Sequence, residues 1–534
     1  MNDYLKEGGP WWQRGAIYQV YLRSFKDSQG NGIGDFPGMV SKLDYLAWLG
    51  VGAVWISPFY PSPMVDFGYD VADYFDVDPV FGTLEDFDEL LRRAHDLSLR
   101  VILDFVPSHT SNQHPWFMES RSSHASAKHD WYIWRDPRRS GGHPNNWLSN
   151  FGGSAWTWDD QVSRYYMHSF LPEQPDLNWR NPEVRGAMLE VLRFWLDRGV
   201  DGFRIDAIVA LMKDAQFRDD PPNPNYVPGK GHPRDSLLHH HSQNHPDVHA
   251  VLRNFRSVLD EYQDKINLGE VSYRLSLDDL VAYYGKDGGL DLPMNFKLIT
   301  LPWEAVAVRE FVDRYEQALP SFAWPNYVLG NHDQSRVASR TGSAQARVAA
   351  LLLLTMRGTP IIYYGEELGM LDADIPTHML QDPYGIRVPG QGRDPVRSPM
   401  QWNAEAHAGF SEVEPWLPVA ANYQTVNVVT QHDEATSMLN LYRQLLKYRK
   451  ESQALTMGSY RSLEGAPEDC FVYFREFENR RLVIALNFSA KGKVLRMEDQ
   501  ASGRLVLSTH LDREELVDLR SLHLRGHEAC VVEL

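Results

Sequence analysis

The sequence predicts an α/β fold whose core is a (β/α)8 TIM barrel, and two observations support this prediction. Short apolar runs alternate with segments whose apolar residues recur at helical spacing, which predicts parallel strands joined by right-handed helical crossovers. Eight strand-like runs can be counted, and eight parallel strands close into a barrel. A doubly wound open sheet is the alternative, but the sequence has no glycine-rich dinucleotide-binding turn to support it.

The predicted barrel strands are the apolar runs at 16–21, 53–56, 101–103, 202–206, 266–269, 292–296, 326–330 and 360–364. Between the second and third runs, Thr83 and Asp86 have the capping-box spacing that begins a helix. Another helix is predicted to begin with Asn181 as N-cap and Pro182 at its first position, and to end near Gly199.

Two segments depart from the strand–helix alternation. The first follows the third strand; it is rich in His, Asn, Ser, Gly and Trp, and it predicts a loop-rich subdomain that covers one side of the active face. The second consists of alternating apolar runs after residue 456, which predict a C-terminal antiparallel β domain. The predicted domains are the barrel (1–104 and 172–456), the inserted subdomain (105–171) and a C-terminal β-sandwich domain (457–534).

Composition limits the partners and the compartment. A formal net charge of −18 argues against nucleic acid or an anionic membrane as partner, and is compatible with a neutral sugar. The only cysteines, Cys470 and Cys530, provide no disulfide framework and are expected to be reduced. Residues 1–7 do not resemble a signal peptide, and no apolar stretch approaches ~20 residues. We therefore expect a cytoplasmic protein that does not contact membranes.

Carboxylates follow three of the predicted strands. Asp206 ends the fourth strand, Glu270 follows the fifth, and Asp333 follows the seventh after His332. The carboxyl ends of barrel strands are where this architecture places its chemistry. Retaining cleavage of a glycoside needs an attacking carboxylate and a proton-donating carboxylic acid roughly 5–5.5 Å apart.

Neighbouring strands lie about 4.8 Å apart, so residues at the ends of strands four and five can meet the required separation. Asp206 is the expected nucleophile, and Glu270, one methylene longer, is the expected general acid/base. Arg204 lies two residues before Asp206, on the same side of the strand, and its charge is expected to keep Asp206 ionised.

These segments, together with 104–109, resemble in order and in their polar positions the four recognised sequence regions of the α-amylase family of glycoside hydrolases, most closely its bacterial α-glucosidases and oligo-1,6-glucosidases. The resemblance implies that Asp206 is the nucleophile, Glu270 the acid/base and Asp333 a third carboxylate that grips sugar hydroxyls. It also implies that His109 and His332 bind substrate hydroxyls as neutral imidazoles.

The same resemblance implies a closed substrate pocket. In exo-acting members, a motif matching Asp66-Phe67-Gly68-Tyr69 supplies a carboxylate that closes the far wall and a tyrosine that forms the stacking floor. Arg397 resembles the usual partner of that carboxylate, and Arg393 is the less favoured candidate. Phe170 lines the opposite wall or belongs to the core; both interpretations remain open.

The segment Asp27-Ser28-Gln29-Gly30-Asn31-Gly32-Ile33-Gly34-Asp35 resembles the first part of a calcium loop. The predicted ligands of a structural Ca²⁺ (or Mg²⁺) are Asp27, Gln29, Asn31, Ile33 and Asp35. The segment departs from an EF-hand because Gly38 stands where the bidentate Glu belongs. A plain turn held by side-chain hydrogen bonds is the alternative. Catalysis itself is expected to need no cofactor.

The predicted activity is that of a retaining exo-acting α-glucosidase. It releases α-glucose from the non-reducing end of maltose, isomaltose, short oligosaccharides and sucrose through a covalent β-glucosyl-enzyme intermediate, with some transglucosylation. The alternative is a sucrose- or trehalose-isomerising enzyme of the same family. A non-enzymatic relative resembling transporter heavy chains is less favoured because the three carboxylates are present, and an endo-acting α-amylase because the pocket is closed. Ala207, at the position where related glucosidases carry Thr or Val for α-1,4 or α-1,6 bonds, predicts broad linkage tolerance.

Overall fold

The computed structural model describes residues 9–272, 274–285, 288–497, 500 and 502–534. The N-terminal segment 1–7, which was interpreted above as lacking a signal peptide, lies outside these residues. Within the described part of the chain, no helix combines the length and the apolar composition needed to cross a bilayer. Both cysteines are buried free thiols, as the composition predicts.

The core is a nearly closed barrel of eight parallel strands, so the predicted fold class is confirmed. The strands are β1 (Ile17–Val20), β2 (Ala53–Ile56), β3 (Arg100–Phe105), β4 (Gly202–Ile205), β5 (Ile266–Gly269), β6 (Leu292–Pro293), β7 (Asn326–Val328) and β8 (Thr359–Tyr363). Their order is β7-β8-β1-β2-β3-β4-β5-β6. The backbone N–H of Asn295, just after β6, donates to Asn326 Oδ1 on β7 at 3.4 Å and links the two ends of the sheet.

Helices connect the strands and surround the barrel. The main ones are Phe36–Val40, Leu43–Leu49, Leu84–Asp96, Pro182–Asp197, Val248–Leu259, Leu277–Ala282, Ala305–Ala318, Ser343–Thr355 and Met438–Glu451. The predicted capping box is confirmed, because Thr83 and Asp86 each accept a backbone N–H from the other. The Asn181 cap is also confirmed: its Oδ1 accepts the N–H of Glu183 at 2.9 Å.

Two further units extend from the barrel. Within 105–171 the chain forms a short helix (Pro115–Ser120) and a small antiparallel sheet of Trp134–Arg135, Arg164–Met167 and Trp156–Asp159. The C-terminal part forms an antiparallel sheet of six strands, in the order Ser459–Ser462, Cys470–Phe477, Arg480–Asn487, Ala529–Glu533, Ser502–Ser508 and Glu515–Asp518. A two-stranded sheet, Lys493–Leu495 with Leu522–Leu524, packs on one face of it.

Buried arginines tie the C-terminal sheet to the barrel. Arg475 donates to the carbonyls of Thr355 (2.6 Å), Leu455 (2.9 Å) and Gly458 (2.9 Å). Arg449 donates to the carbonyls of residues 354 and 356 at 2.9 and 3.1 Å. The carbonyls of residues 354–356 lie just before β8, so Arg475 joins the segment that leads into this strand to the C-terminal sheet, and Arg449 joins it to the helix Met438–Glu451. Burial lowers the pKa of Arg475 to about 10.

Candidate active site

A pocket of about 410 Å³ opens at the carboxyl ends of the barrel strands. It is lined by most of the predicted catalytic and substrate-binding residues, namely Asp66, Tyr69, His109, Phe170, Asp206, Glu270, His332 and Asp333. The remaining two, Arg204 and Arg397, lie behind its wall and are 1% and 0% exposed. The structure therefore brings all of the predicted residues together, with the two arginines as buried supports.

Arg204 on β4 contacts three carboxylates at the base of the pocket. Its Nη1 donates to Asp206 Oδ1 at 2.6 Å and to Asp104 Oδ1 at 2.8 Å. Its Nη2 lies 2.9 Å from Glu270 Oε2. Asp104 and Arg204 occupy matching positions in the β3–β4 ladder, which is why their side chains meet. One guanidinium thus supports the predicted nucleophile and the predicted acid/base simultaneously.

The protonation of Asp206 differs from the expectation that Arg204 keeps it ionised. Burial raises the pKa of Asp206 well above its usual range, and the charges of Glu270 and Asp104 add to this increase. Arg204 lowers the pKa as predicted, but it does not outweigh burial. The pKa of Asp206 is therefore raised by its burial and by the acidic groups around it, against the opposing charge of Arg204.

Asp333 has the opposite electrostatic environment. Its Oδ1 accepts from Arg393 Nη1 at 3.3 Å and from Arg397 Nη2 at 3.1 Å. Burial alone would raise the pKa of Asp333, but His332 and the two arginines outweigh it and hold the pKa below its usual range. Asp333 is therefore ionised at neutral pH.

The far wall of the pocket is closed by Arg393 and not, as predicted, by Arg397. Arg393 Nη2 contacts Asp66 Oδ1 and Asp382 Oδ1, each at 2.7 Å. Arg397 instead turns inward, where its Nε donates to the carbonyl of His332 at 2.9 Å. The two arginines lie at opposite ends of the turn Asp394–Arg397, so their side chains leave it in different directions.

The imidazole of His332 belongs to a chain of hydrogen bonds below the pocket. Gln19 Nε2 donates to His332 Nδ1 at 2.8 Å, so the ring proton is on Nε2, which lies 2.8 Å from the Tyr69 hydroxyl. That hydroxyl in turn donates to Asp104 Oδ2 at 3.0 Å. Burial lowers the pKa of His332 to about 3, so the ring is neutral.

His109 also directs its ring proton at the protein. Its Nε2 donates to the backbone carbonyl of Tyr69 at 2.9 Å, and its Nδ1 lies 2.7 Å from Ser108 Oγ. Burial lowers the pKa of His109, which makes this ring neutral as well. Both histidines are neutral imidazoles beside the pocket, while their binding to substrate hydroxyls stays a prediction.

Two aromatic side chains line the pocket. The ring of Tyr69 lies parallel to that of His332, with 5.4 Å between centroids. Phe170 lines the pocket and packs against His109 and Phe151, with centroids 5.1 and 5.6 Å apart. Its position favours the wall interpretation over the core one.

Sequence reasoning did not identify Gln174 or Asp382 as parts of the site. Gln174 Nε2 donates to Asp66 Oδ2 at 3.1 Å. Asp382 holds Arg393 through both carboxylate oxygens, Oδ1 at 2.7 Å and Oδ2 at 3.0 Å. Gln174 follows Phe170 in a loop, and Asp382 lies in a long loop; neither position has a distinctive motif. Asp104 belongs to the segment 104–109, but the sequence analysis gave it no role.

The predicted cation loop is held by its own hydrogen bonds. Asp27 accepts from the backbone N–H of Gln29, Gly30 and Gly32 and from Ser411. Asp35 accepts from residues 28, 29 and 38 in the same way. Each of the four carboxylate oxygens accepts two hydrogen bonds, so this arrangement does not fit a cation without displacing donors. Cation binding at Asp27, Gln29, Asn31, Ile33 and Asp35 stays a prediction.

Three carboxylates around a pocket at the end of an α/β barrel define the class of a glycoside hydrolase. A model of the alpha-amylase catalytic domain matches residues 19–458. The chain belongs to the α-amylase family and is a glycoside hydrolase.

Curated relatives cover almost the whole chain. It is 42% identical to a probable alpha-glucosidase of Rhizobium meliloti, over 96% of both chains. It is 35% identical to an oligo-1,6-glucosidase of Parageobacillus thermoglucosidasius, over 98% of this chain and 99% of the relative. The human amino acid transporter heavy chain SLC3A1 is 38% identical over 98% of this chain and 78% of its own length.

Solved structures also match almost the whole chain. The alpha-glucosyl transfer enzyme XgtA superposes with a TM-score of 0.93 at 42% identity, over 98% of this chain and 99% of its own. The trehalulose synthase MutB from Pseudomonas mesoacidophila superposes with a TM-score of 0.90 at 33% identity, over 98% and 100%.

Proposed function

We propose that this glycoside hydrolase is a retaining, exo-acting α-glucosidase that releases α-glucose from the non-reducing end of short α-glucosides. The observation that carries the proposal is the pair Asp206 and Glu270, held on two nitrogens of the Arg204 guanidinium at the base of the pocket. The relatives named alpha-glucosidase and oligo-1,6-glucosidase support the choice of small α-glucosides, such as maltose, isomaltose and sucrose, as substrates.

In the first half of the reaction, an Asp206 oxygen attacks the anomeric carbon while Glu270 gives its proton to the glycosidic oxygen. The bond between carbon and that oxygen breaks, the aglycone departs as an alcohol, and a β-glucosyl ester forms on Asp206. In the second half, Glu270 takes a proton from water, the water oxygen attacks the anomeric carbon, and α-glucose leaves Asp206. A sugar hydroxyl in place of water gives transglucosylation.

The contacts of the two carboxyl groups suit this sequence of steps. Asp206 must be ionised to attack, and Glu270 must be protonated to donate. The 2.6 Å contact of Arg204 with Asp206 favours the negative charge on that residue. Asp333, held ionised by Arg393 and Arg397, is suited to stabilise the positive charge that develops on the sugar ring.

Exo action follows from the wall that closes the pocket. Asp66 and Arg393 form an ion pair of 2.7 Å at its far side, and Gln174 supports the carboxylate from behind. A glucose unit bound against this wall has no room for a further residue at its non-reducing end. Early release of long oligomers from starch would contradict this proposal.

The isomerising alternative is supported by a specific observation, the similarity to a trehalulose synthase over 98% of this chain and 100% of that one. Both activities use the same glucosyl ester and differ in the fate of the aglycone. Product analysis on sucrose separates them: hydrolysis gives glucose and fructose, whereas isomerisation returns a disaccharide in which fructose is bonded through another oxygen.

The test of the proposal is a pair of isosteric variants. We expect Asp206→Asn and Glu270→Gln each to lower kcat on an aryl α-glucoside by at least about a thousandfold, because each removes a reacting group. Azide added to Glu270→Ala with an activated substrate should yield α-glucosyl azide, because azide takes the place of water in attacking the β-glucosyl ester on Asp206. Glu261→Gln, a change in an exposed carboxylate paired with Arg193, is the control. A β-configured azide from Glu270→Ala, or activity retained in either isosteric variant, would refute the retaining mechanism.

A further inference from the structure

The residue that follows Asp206 has an unusual backbone conformation. Ala207 has φ 43° and ψ 43°, which places it in the left-handed region. That region is disfavoured for residues with a Cβ atom, and strain of this kind persists where the surroundings enforce it, often at active sites. An alanine side chain does not favour this conformation, so contacts made by the surrounding residues must stabilise it.

The left-handed turn directs the backbone N–H of Ala207 at the predicted acid/base. The amide donates to Glu270 Oε2 at 3.0 Å, and Arg204 Nη2 lies 2.9 Å from the same oxygen. The next amide, that of Ile208, donates to the main-chain carbonyl of Glu270 at 3.3 Å. The end of β4 thus holds Glu270 by both its side chain and its backbone.

The two donors on Oε2 make the two carboxyl oxygens of Glu270 inequivalent. An oxygen that accepts an amide N–H and a guanidinium N–H is stabilised as the acceptor and disfavoured as the site of a proton. The proton of a protonated Glu270 is then on Oε1. The terminal torsion of a glutamate side chain is usually broadly distributed. In Glu270 this torsion is restricted, because two donors hold Oε2.

We propose that Ala207 is a positioning residue: its backbone N–H, exposed by the left-handed conformation, fixes Glu270 so that Oε1 delivers the proton to the glycosidic oxygen. This inference rests on the proposed function of Glu270 as acid/base. According to this inference, the left-handed conformation of residue 207 serves proton delivery. A bulkier side chain at this position would therefore change the orientation of Glu270 as well as the space available to the sugar.

The sharpest test removes the N–H alone. Replacing Ala207 with lactic acid by ester substitution keeps the methyl group and deletes the donor. We expect kcat/KM to fall roughly tenfold to a hundredfold on methyl α-glucoside and maltose, whose leaving groups need the proton. On 2,4-dinitrophenyl α-glucoside, which leaves without protonation, the fall should stay below about twofold.

A second pair of variants tests the conformation. Ala207→Val, with a β-branched side chain that resists the left-handed region, should reproduce the dependence on leaving group. Ala207→Gly, which enters that region freely, should not show this dependence. Ala408 is the matched control, because it is a buried alanine at φ 58° and ψ 22° away from the pocket. Ala408→Val should lower stability without changing the ratio of the two kcat/KM values.

The outcomes separate this inference from the proposed function. An equal fall on both substrates, or no fall in the ester variant, would overturn the positioning role while leaving Glu270 as the acid/base. A Glu270→Gln variant that hydrolyses methyl α-glucoside as fast as the wild type would overturn the proposed function itself.

Discussion

Replacing Arg393 with glutamine should weaken binding of the terminal glucose more than any other single change in the far wall. The guanidinium contacts Asp66, Asp382 and Asp333 at 2.7, 2.7 and 3.3 Å. Glutamine removes the charge and can restore at most one of these hydrogen bonds. Each charged hydrogen bond contributes about 1.5–3 kcal/mol, so the loss of two of the three costs about 3–6 kcal/mol. This corresponds to a fall in kcat/KM on maltose of roughly 100-fold to 20,000-fold.

The assay is steady-state kinetics on maltose as a function of pH. Because Arg393 helps to hold the pKa of Asp333 below its usual range, its removal raises that pKa. The acid limb of the kcat/KM profile should therefore move to higher pH. The stability that Asp333 gains from its arginines is present above about pH 4 and is lost as the pH falls through the folded-state pKa. Because the variant has less of this stabilisation, acidification should lower its free energy of unfolding by a smaller amount than in the wild type.

The comparison variant is Arg397→Gln. Arg397 contacts Asp333 and the carbonyl of His332, but Asp66 is paired with Arg393. Its replacement should lower kcat and leave the preference for chain ends unchanged, whereas Arg393→Gln should also allow attack inside longer chains. A fall of less than about threefold for Arg393→Gln, with internal cleavage appearing only in Arg397→Gln, would refute this assignment of the wall.

Three further predictions concern other parts of the chain. On a panel of maltose, isomaltose, kojibiose, nigerose, trehalose and sucrose, kcat/KM should vary by less than about a hundredfold, because Ala207 discriminates by no more than a methyl or two, about 1–3 kcal/mol; a larger preference would show that other residues decide linkage. Arg475→Met should lower the free energy of unfolding in urea by at least about 3 kcal/mol, because buried carbonyls lose their donors. The exposed Arg461→Met should cost under about 1 kcal/mol, and equal losses would exclude a special role for the buried site. Calcium should raise the melting temperature only at millimolar concentration, since it must displace amides from Asp27, and Asp27→Asn should remove the increase; a rise at micromolar calcium would show a preformed site.

The barrel and its carboxylates could be predicted because the signals are local. A strand, its terminating polar residues and a capping box each occupy a few consecutive positions, and parallel strands bring their carboxyl ends to one face. Asp206, Glu270 and Asp333 lie at the edge of one pocket for this reason. Thr83 and Asp86 fix the start of a helix by the same kind of short-range rule.

The wall could not be predicted in the same way because it depends on the direction of side chains from an irregular loop. Arg393 and Arg397 are four residues apart, and the sequence contains nothing that orients one toward Asp66. Asp382 determines which arginine contacts Asp66, because it binds Arg393 through two oxygens and fixes it beside the pocket. Both residues lie in the long loop after β8, where no periodic pattern relates position in the sequence to position in space.

The charge of the pocket is likewise a property of the assembled site. Six carboxyl groups contact three guanidinium groups there: Asp66, Asp104, Asp206, Glu270, Asp333 and Asp382 with Arg204, Arg393 and Arg397. The acidic groups outnumber the basic groups by three, so the site carries an excess of acidic charge. A neutral sugar gains little from that charge, but a ring that becomes positive as its glycosidic bond breaks gains most at that moment, which is the condition for catalysis. Sequence motifs identify the carboxylates. The differential stabilisation, however, depends on their excess over the buried arginines, and this excess is a property of the folded site.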